Sequence, residues 1–331
     1  MRPSLSEITK NARVVKIGLR TSFRGITERE ALVFEGPNGW TEWAPFVEYE
    51  PAEAAVWLNA AIDWAYEPQP ELKRRTIAIN ATLPAVAASD VESVLARFGT
   101  FSTVKIKVGE SGQTIIDDLA RIIRVKVLYP AAKIRLDANG AFKVFEALAL
   151  IEALANSHVE LEYFEQPCAS VAELAELKQM LSAKGHAVLI AADESVRKAS
   201  DPLAVAHANA ADLLVLKVAP LGGVSKALEI SQAAGLPVVV SSALDTSLGI
   251  AMGLHLAGAL QTLDFACGLG TVALLESDLC DEPLVTQNGE IEIRRPVLST
   301  KLLDKYQADE DHTEWWLERL ADSFAELESI S

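Results

Sequence analysis

Soft and aromatic chemistry is scarce in this chain. Only three of its 331 residues are cysteine, Cys168, Cys267 and Cys280. The odd count and wide separation exclude a disulfide framework and leave zinc without a thiolate cluster. The five histidines, His158, His186, His207, His255 and His312, fall in helical or loop stretches rather than at the end of an apolar run. Histidine catalysis thus has no placed candidate, and hydrolase chemistry has neither a Ser-His-Asp arrangement nor a GxSxG elbow. Positive charge is also short, 30 Lys and Arg against 46 Asp and Glu for a net charge of -16. That balance argues against nucleic acid and against anionic membrane surfaces as partners. No apolar run reaches the roughly 18 residues of a membrane span, and the start MRPSLSEITKNARVVKI lacks an apolar h-region. The expectation is a cytoplasmic, soluble protein acting on a small molecule, with no nucleic acid, membrane or obligate protein partner implied.

With half of its residues hydrophobic and 23% charged, the chain has the composition of a soluble enzyme large enough for one barrel-sized domain and a smaller one. ARVVKIGL and REALVFEG read as strands, GPNGW as a turn, and PAEAAVWLNAAIDWAY as a helix opened by proline. From Thr76 the pattern becomes short apolar runs alternating with amphipathic helices. The runs are TIAINA, STVKIKV, KIRLDAN, LEYFE, VLIAAD, DLLVLK, PVVVSS and, more weakly, DFACG. Eight strands with about seven connecting helices predict an α/β fold, a (β/α)7β modified TIM barrel with a smaller α+β capping domain. A doubly wound sheet would want a glycine-rich phosphate loop after its first strand, and NATLPAVAAS has none. The expected capping domain is 1–74, completed by about 283–331, and the expected barrel is 75–282. Asn288-Gly289 predicts a hairpin near the end.

Five charges stand at or near the ends of successive runs. Lys107, Asp137, Glu165, Asp193 and Lys217 are 30, 28, 28 and 24 residues apart, about one βα unit each. The carboxyl ends of parallel barrel strands converge on one mouth. Alternation in STVKIKV sets Thr103, Lys105 and Lys107 opposite Val104, Ile106 and Val108, so both lysines point inward. Unpaired ammonium groups inside a barrel cost several kcal/mol each, which a structural role seldom justifies. KIRLDAN likewise places Lys133, Arg135, Asp137 and Asn139 on one face.

Three carboxylates without histidine or cysteine form a hard oxygen site, suited to Mg²⁺ or to Mn²⁺ as a substitute. Asp137, Glu165 and Asp193 are the expected ligands. Alternation sends Glu194 away from Asp193, leaving Glu194 as a partner for lysines or other ligands, with Asn139 and Arg135 as further supports. Lys217 is expected across the barrel from Lys105 and Lys107. Burial, a second ammonium and a divalent cation all lower a lysine pKa from about 10.4 toward neutrality. Lysines on both sides of a metal point to proton abstraction alpha to a carboxylate. A Schiff-base aldolase using Lys217 also fits a late barrel lysine but gives the carboxylates no purpose.

VKIKVG, RLDANGAF, FEQP, AADES and LKVAPLGG, in this order and spacing, resemble the muconate-lactonising subgroup of the enolase superfamily. Within it, FRGITERE, EGPNGWTEWAPFVEYEPAE, EQPCAS, VVVSSALDTS and ACGLGT are similar to the dehydratases of menaquinone biosynthesis. The resemblance implies a Mg-dependent carbon-oxygen lyase that removes water from 2-succinyl-6-hydroxy-2,4-cyclohexadiene-1-carboxylate through an enediolate. It implies Lys107 as base and then acid, Lys217 facing the enediolate, and Lys105 tuning Lys107 or contacting the carboxylate. Arg24 is a candidate contact for the anionic substrate, and Ser241, Ser242, Gly268 and Leu269 are candidates for holding the succinyl carboxylate. An N-acylamino acid racemase or dipeptide epimerase would use the same lysines and metal.

Overall fold

The computed structural model describes residues 2–23, 25–198 and 201–329. Arg24 lies outside them. The amino-terminal unit is an antiparallel meander of β1 (Arg13–Phe23), β2 (Ile26–Gly36) and β3 (Gly39–Trp43). The turn between β2 and β3 ends on Gly39 at φ 108°, a backbone that favours glycine. Pro51 then starts the helix Pro51–Tyr66, where its missing N–H is harmless. That helix buries Ala54, Trp57, Leu58 and Ala61 in a cluster shared with Trp316, Leu320 and Phe324 of the carboxyl-terminal helix Glu310–Ser329. Trp43 and Trp316 meet edge to face at 5.4 Å, so chain ends some 270 residues apart share one core.

β4 (Thr76–Ala78) and β5 (Ala81–Leu83) divide the run that the sequence presents as one strand. Between them the buried Asn80 side chain donates to the Ala81 carbonyl at 3.0 Å and lies 3.3 Å from Thr82 Oγ1, local bonds that compete with a continuous ladder. The parallel strands that follow are β6 (Thr103–Lys107), β7 (Lys133–Asp137), β8 (Leu161–Glu165), β9 (Leu189–Ala192), β10 (Leu213–Leu216) and β11 (Val238–Val240). β5 through β11 form a curled parallel sheet in chain order. Its two edges meet through single parallel bridges, Ser241 with Gly268 and Cys267 with Ile79. The weak run DFACG therefore closes the circle with isolated bridges instead of a full strand.

β12 (Glu290–Glu292) follows the expected Asn288-Gly289 turn, whose residues both take positive φ, 52° and 86°. It pairs antiparallel with β4 rather than returning to the amino-terminal sheet. The carboxyl-terminal helix does pack on that unit. Among the described residues no helix is long and apolar enough to cross a membrane.

The two units meet at the start of the helix Ser247–Ala259. Glu42 of β3 accepts hydrogen bonds from the Thr246 N–H at 3.1 and 3.2 Å and from its hydroxyl, while Asp278 accepts from the Ser247 N–H at 2.9 Å. Burial, reinforced by the Asp245 charge, pushes the Glu42 carboxyl up to about 8 against the opposing pull of Thr246 and Arg29. A carboxyl raised in the folded state holds a proton that the unfolded chain has released. Its stabilising contribution is complete below the unfolded value near 4.5 and lost as pH rises through about 8. Glu42→Gln should flatten the fall in unfolding free energy across that window, a fall of up to about 1.4 kcal/mol per pH unit for one group. Urea titrations at several pH values measure it; unchanged slopes would refute the raised carboxyl. Trp316→Ala should cost about 3–5 kcal/mol in the same assay, as expected for a fully buried indole.

Candidate active site

The register of the sheet brings the charges together. Lys107 pairs with Asp137 across β6 and β7, and Asp137 pairs with Glu165 across β7 and β8. Glu165 is level with Ala191, so Asp193 stands two residues further toward the mouth. Lys217 follows directly on β10. All five side chains, and Lys105, are buried.

No one of these charges is buried alone. The Lys105 ammonium bonds both Glu165 oxygens at 2.8 and 3.0 Å and lies 3.4 Å from Asp137. Lys217 donates to Asp193 Oδ2 at 2.6 Å. Lys107 bonds the Asn139 side-chain oxygen. Burial by itself lowers the Lys105 pKa, but the facing Glu165 and Asp137 charges outweigh it and the net direction is upward. Asp137 and Asp193 are held low: burial opposes this, but Lys105 acting on Asp137, and Lys217 with Arg197 acting on Asp193, prevail. Glu165 moves the other way, to about 7, because burial and the neighbouring Asp137 charge exceed the pull of Lys105.

The Asp193–Glu194 region corrects the alternation argument. β9 ends at Ala192, and Asp193 is the cap of the short helix Glu194–Arg197. Both acids consequently face one cation: Arg197 donates to Asp193 at 3.1 Å and to Glu194 at 2.6 Å. Glu194 also accepts from Asn139 Nδ2 at 3.1 Å, which ties it to the Lys107 partner and not to a lysine directly. Gln166 sets this turn in place, its side-chain oxygen accepting from the Asp193 and Ser195 N–H groups at 3.0 and 3.1 Å. Sequence reasoning missed both Arg197 and Gln166. The signal for Arg197 was its spacing, three and four residues after two acids.

Arg135 does not support the carboxylates. It lies deeper in the barrel, bonding Glu162 at 2.5 Å, Asn80 at 3.1 Å and the Ala266 carbonyl at 2.7 Å, with its guanidinium 4.6 Å from the Tyr163 ring centroid. Two residues before Asp137 on one strand, it shares the inward face but not the depth.

Above the mouth lies a small cleft of about 30 Å³. Lys105, Asp137, Asn139 and Lys217 form its floor, and Ser241, Ser242, Gly268 and Thr271 one wall. Phe23, Phe46 and Leu244 line it as well, none of them singled out from sequence. Lys107, Glu165 and Asp193 are not among the residues that line it. Ser242 Oγ is 2.9 Å from the Gly268 carbonyl and 2.8 Å from Thr271 Oγ1. Leu269 is fully buried with its side chain against Gly253, and it lines a smaller adjoining pocket together with Lys217 and Ser241.

Among the described residues no three His, Cys, Asp or Glu side chains draw together into a ready metal cluster, because the lysines interleave them. The donor set is nonetheless one for a hard cation. All its members are carboxylates, and buried Glu194 Oε2 has no hydrogen-bond partner.

Residues 86–297 match the model of the enolase C-terminal domain-like family, and residues 14–65 that of the enolase N-terminal domain-like family. Proteins of Mycobacterium tuberculosis and Mycolicibacterium smegmatis named o-succinylbenzoate synthase are each 48% identical over 318 residues, 96% of this chain and 95% and 96% of theirs. The fold is similar to muconate lactonizing enzyme from Pseudomonas putida, with TM-score 0.72, 17% identity and coverage of 90% of this chain and 98% of that one. It is also similar to the L-Ala-D/L-Glu epimerase from Bacillus subtilis, with TM-score 0.71, 22% identity and coverage of 86% and 96%. Members of the superfamily typically bind a divalent metal. The chain belongs to the enolase superfamily and, within it, to the family it shares with those mycobacterial proteins.

Proposed function

We propose that the chain catalyses the reaction for which its mycobacterial relatives are named, formation of o-succinylbenzoate, by syn elimination of water from 2-succinyl-6-hydroxy-2,4-cyclohexadiene-1-carboxylate. The observation that carries this reading is 48% identity along 96% of the chain, which spans the floor, the wall and the capping strands of the cleft alike. In this reading it is a hydro-lyase of menaquinone biosynthesis.

Lys107, as the neutral amine, takes the proton from the ring carbon that bears the carboxylate. The electron pair moves into the carboxylate oxygens as an enediolate. The Lys107 ammonium then returns the proton to the hydroxyl on the adjacent carbon; water leaves, and the ring becomes aromatic. Asn139, bonded to Lys107, orients that amine. Lys217, four strands further round the sheet, supplies positive charge from the other side, and Lys105 keeps Glu165 and Asp137 aligned. Mg²⁺, or Mn²⁺ in its place, held by Asp137, Glu165 and Asp193, would supply Lewis-acid charge to the substrate carboxylate. Arg197 and Glu194 fix Asp193 in place. Ser241, Ser242 and the backbone at Gly268 offer hydroxyl and N–H groups to the succinyl carboxylate without adding a full charge.

Lys107→Ala should lower kcat for aromatisation by at least about 10³-fold with the circular-dichroism spectrum unchanged. Near-normal turnover would remove Lys107 from the role of base. Asp193→Ala should weaken Mg²⁺ binding in calorimetry; an unaltered affinity would move the ligand role to Glu194. Assayed side by side, the wild type should aromatise the cyclohexadiene substrate faster than it racemises an N-succinylamino acid. The opposite order would favour the racemase reading, which the two lysines also support.

A further inference from the structure

The wall of the cleft that carries Ser241 and Ser242 runs on into Leu244, which takes a left-handed backbone, φ 64°. A branched, fully buried leucine rarely adopts that conformation, and it persists only where its surroundings impose it. Here the imposing groups come from the amino-terminal unit. Arg29 of β2, itself buried, donates from Nε to the Leu244 carbonyl at 3.2 Å and from a terminal nitrogen to the Ala44 carbonyl. Its guanidinium lies 4.6 Å from the centroid of Phe46, another lining residue of the cleft. Two residues after Leu244, Glu42 grips Thr246 through backbone and hydroxyl. Asp245, between them, folds back to accept from the Ala243 N–H at 3.0 Å.

We infer that Arg29 is a positioning residue for substrate specificity: with Glu42 it clamps residues 241–246 in a strained conformation that sets the serine wall of the cleft. Arg29 touches no reacting atom. Its position in the amino-terminal unit makes that unit part of the substrate mould as well as a cover, since without the clamp Leu244 relaxes and the wall shifts. The kinetic consequence rests on the dehydratase reading; the conformational one does not.

Arg29→Met keeps much of the stem and removes the donors. It should raise KM at least tenfold while changing kcat less than about threefold, the pattern of lost uniform binding. Amide exchange of peptides covering 241–249 should quicken at least tenfold. In a Leu244→Gly background, where the left-handed backbone carries no side-chain penalty, the KM effect of Arg29→Met should shrink severalfold. Arg29→Lys, which keeps one donor, should fall between, and it replaces Arg29→Met if that variant does not fold. Unchanged exchange, or an equal KM effect in both Leu244 backgrounds, would overturn the clamp, as would faster exchange with KM unmoved. A wild-type protein inactive on the cyclohexadiene substrate would instead overturn the dehydratase reading and leave the exchange measurement to decide the clamp.

Discussion

Every carboxylate buried at the mouth of this barrel is held by a cation. Lys105 sits between Glu165 and Asp137, Lys217 on Asp193, and Arg197 across Asp193 and Glu194. Removing either sign alone would leave ions desolvated at a cost of several kcal/mol each. The arrangement therefore keeps a dense, mixed cluster at the one place where parallel strand ends converge. It also splits the carboxylates, with Glu165 raised and Asp193 held low by different neighbours. Three chemically similar groups acquire unequal proton affinities from position alone.

The same logic extends to the seam between the two units. Glu42 and Asp278 occupy the start of the helix Ser247–Ala259, where unpaired N–H groups favour acids, and Arg29 lies beside them. Because Glu42 and Arg29 belong to the amino-terminal sheet while Thr246 and Leu244 belong to the barrel, the polar contacts fix one unit against the other. The cleft is made at that junction, with Phe23 and Phe46 from one side and Ser241, Ser242 and Thr271 from the other.

Much of this was legible in the residues. Alternation placed Lys105 and Lys107 inward, and even spacing placed Asp137, Glu165, Asp193 and Lys217 at strand ends, because both signals are local and periodic. Asn288-Gly289 marked its turn for the same reason. The failures have equally local causes. Alternation stops applying when a strand stops, so it misdirected Glu194 once β9 ended at Ala192. It also ignores depth, so Arg135 was grouped with Asp137 although the two sit at different levels.

The sequence by itself determined the repeating βα pattern, the inward set of charges and the hard-oxygen character of the donors, since each depends on residue type and on a period of two or about thirty. Only the tertiary structure decided which lysine faces which carboxylate, how two isolated bridges close the barrel, and that β12 joins β4. It alone showed Arg29 and Glu42 reaching across to hold Leu244 and Thr246. Those partners lie from 24 to more than 200 residues apart, and no local periodicity encodes a contact made by the reach of a single side chain across a packed interface.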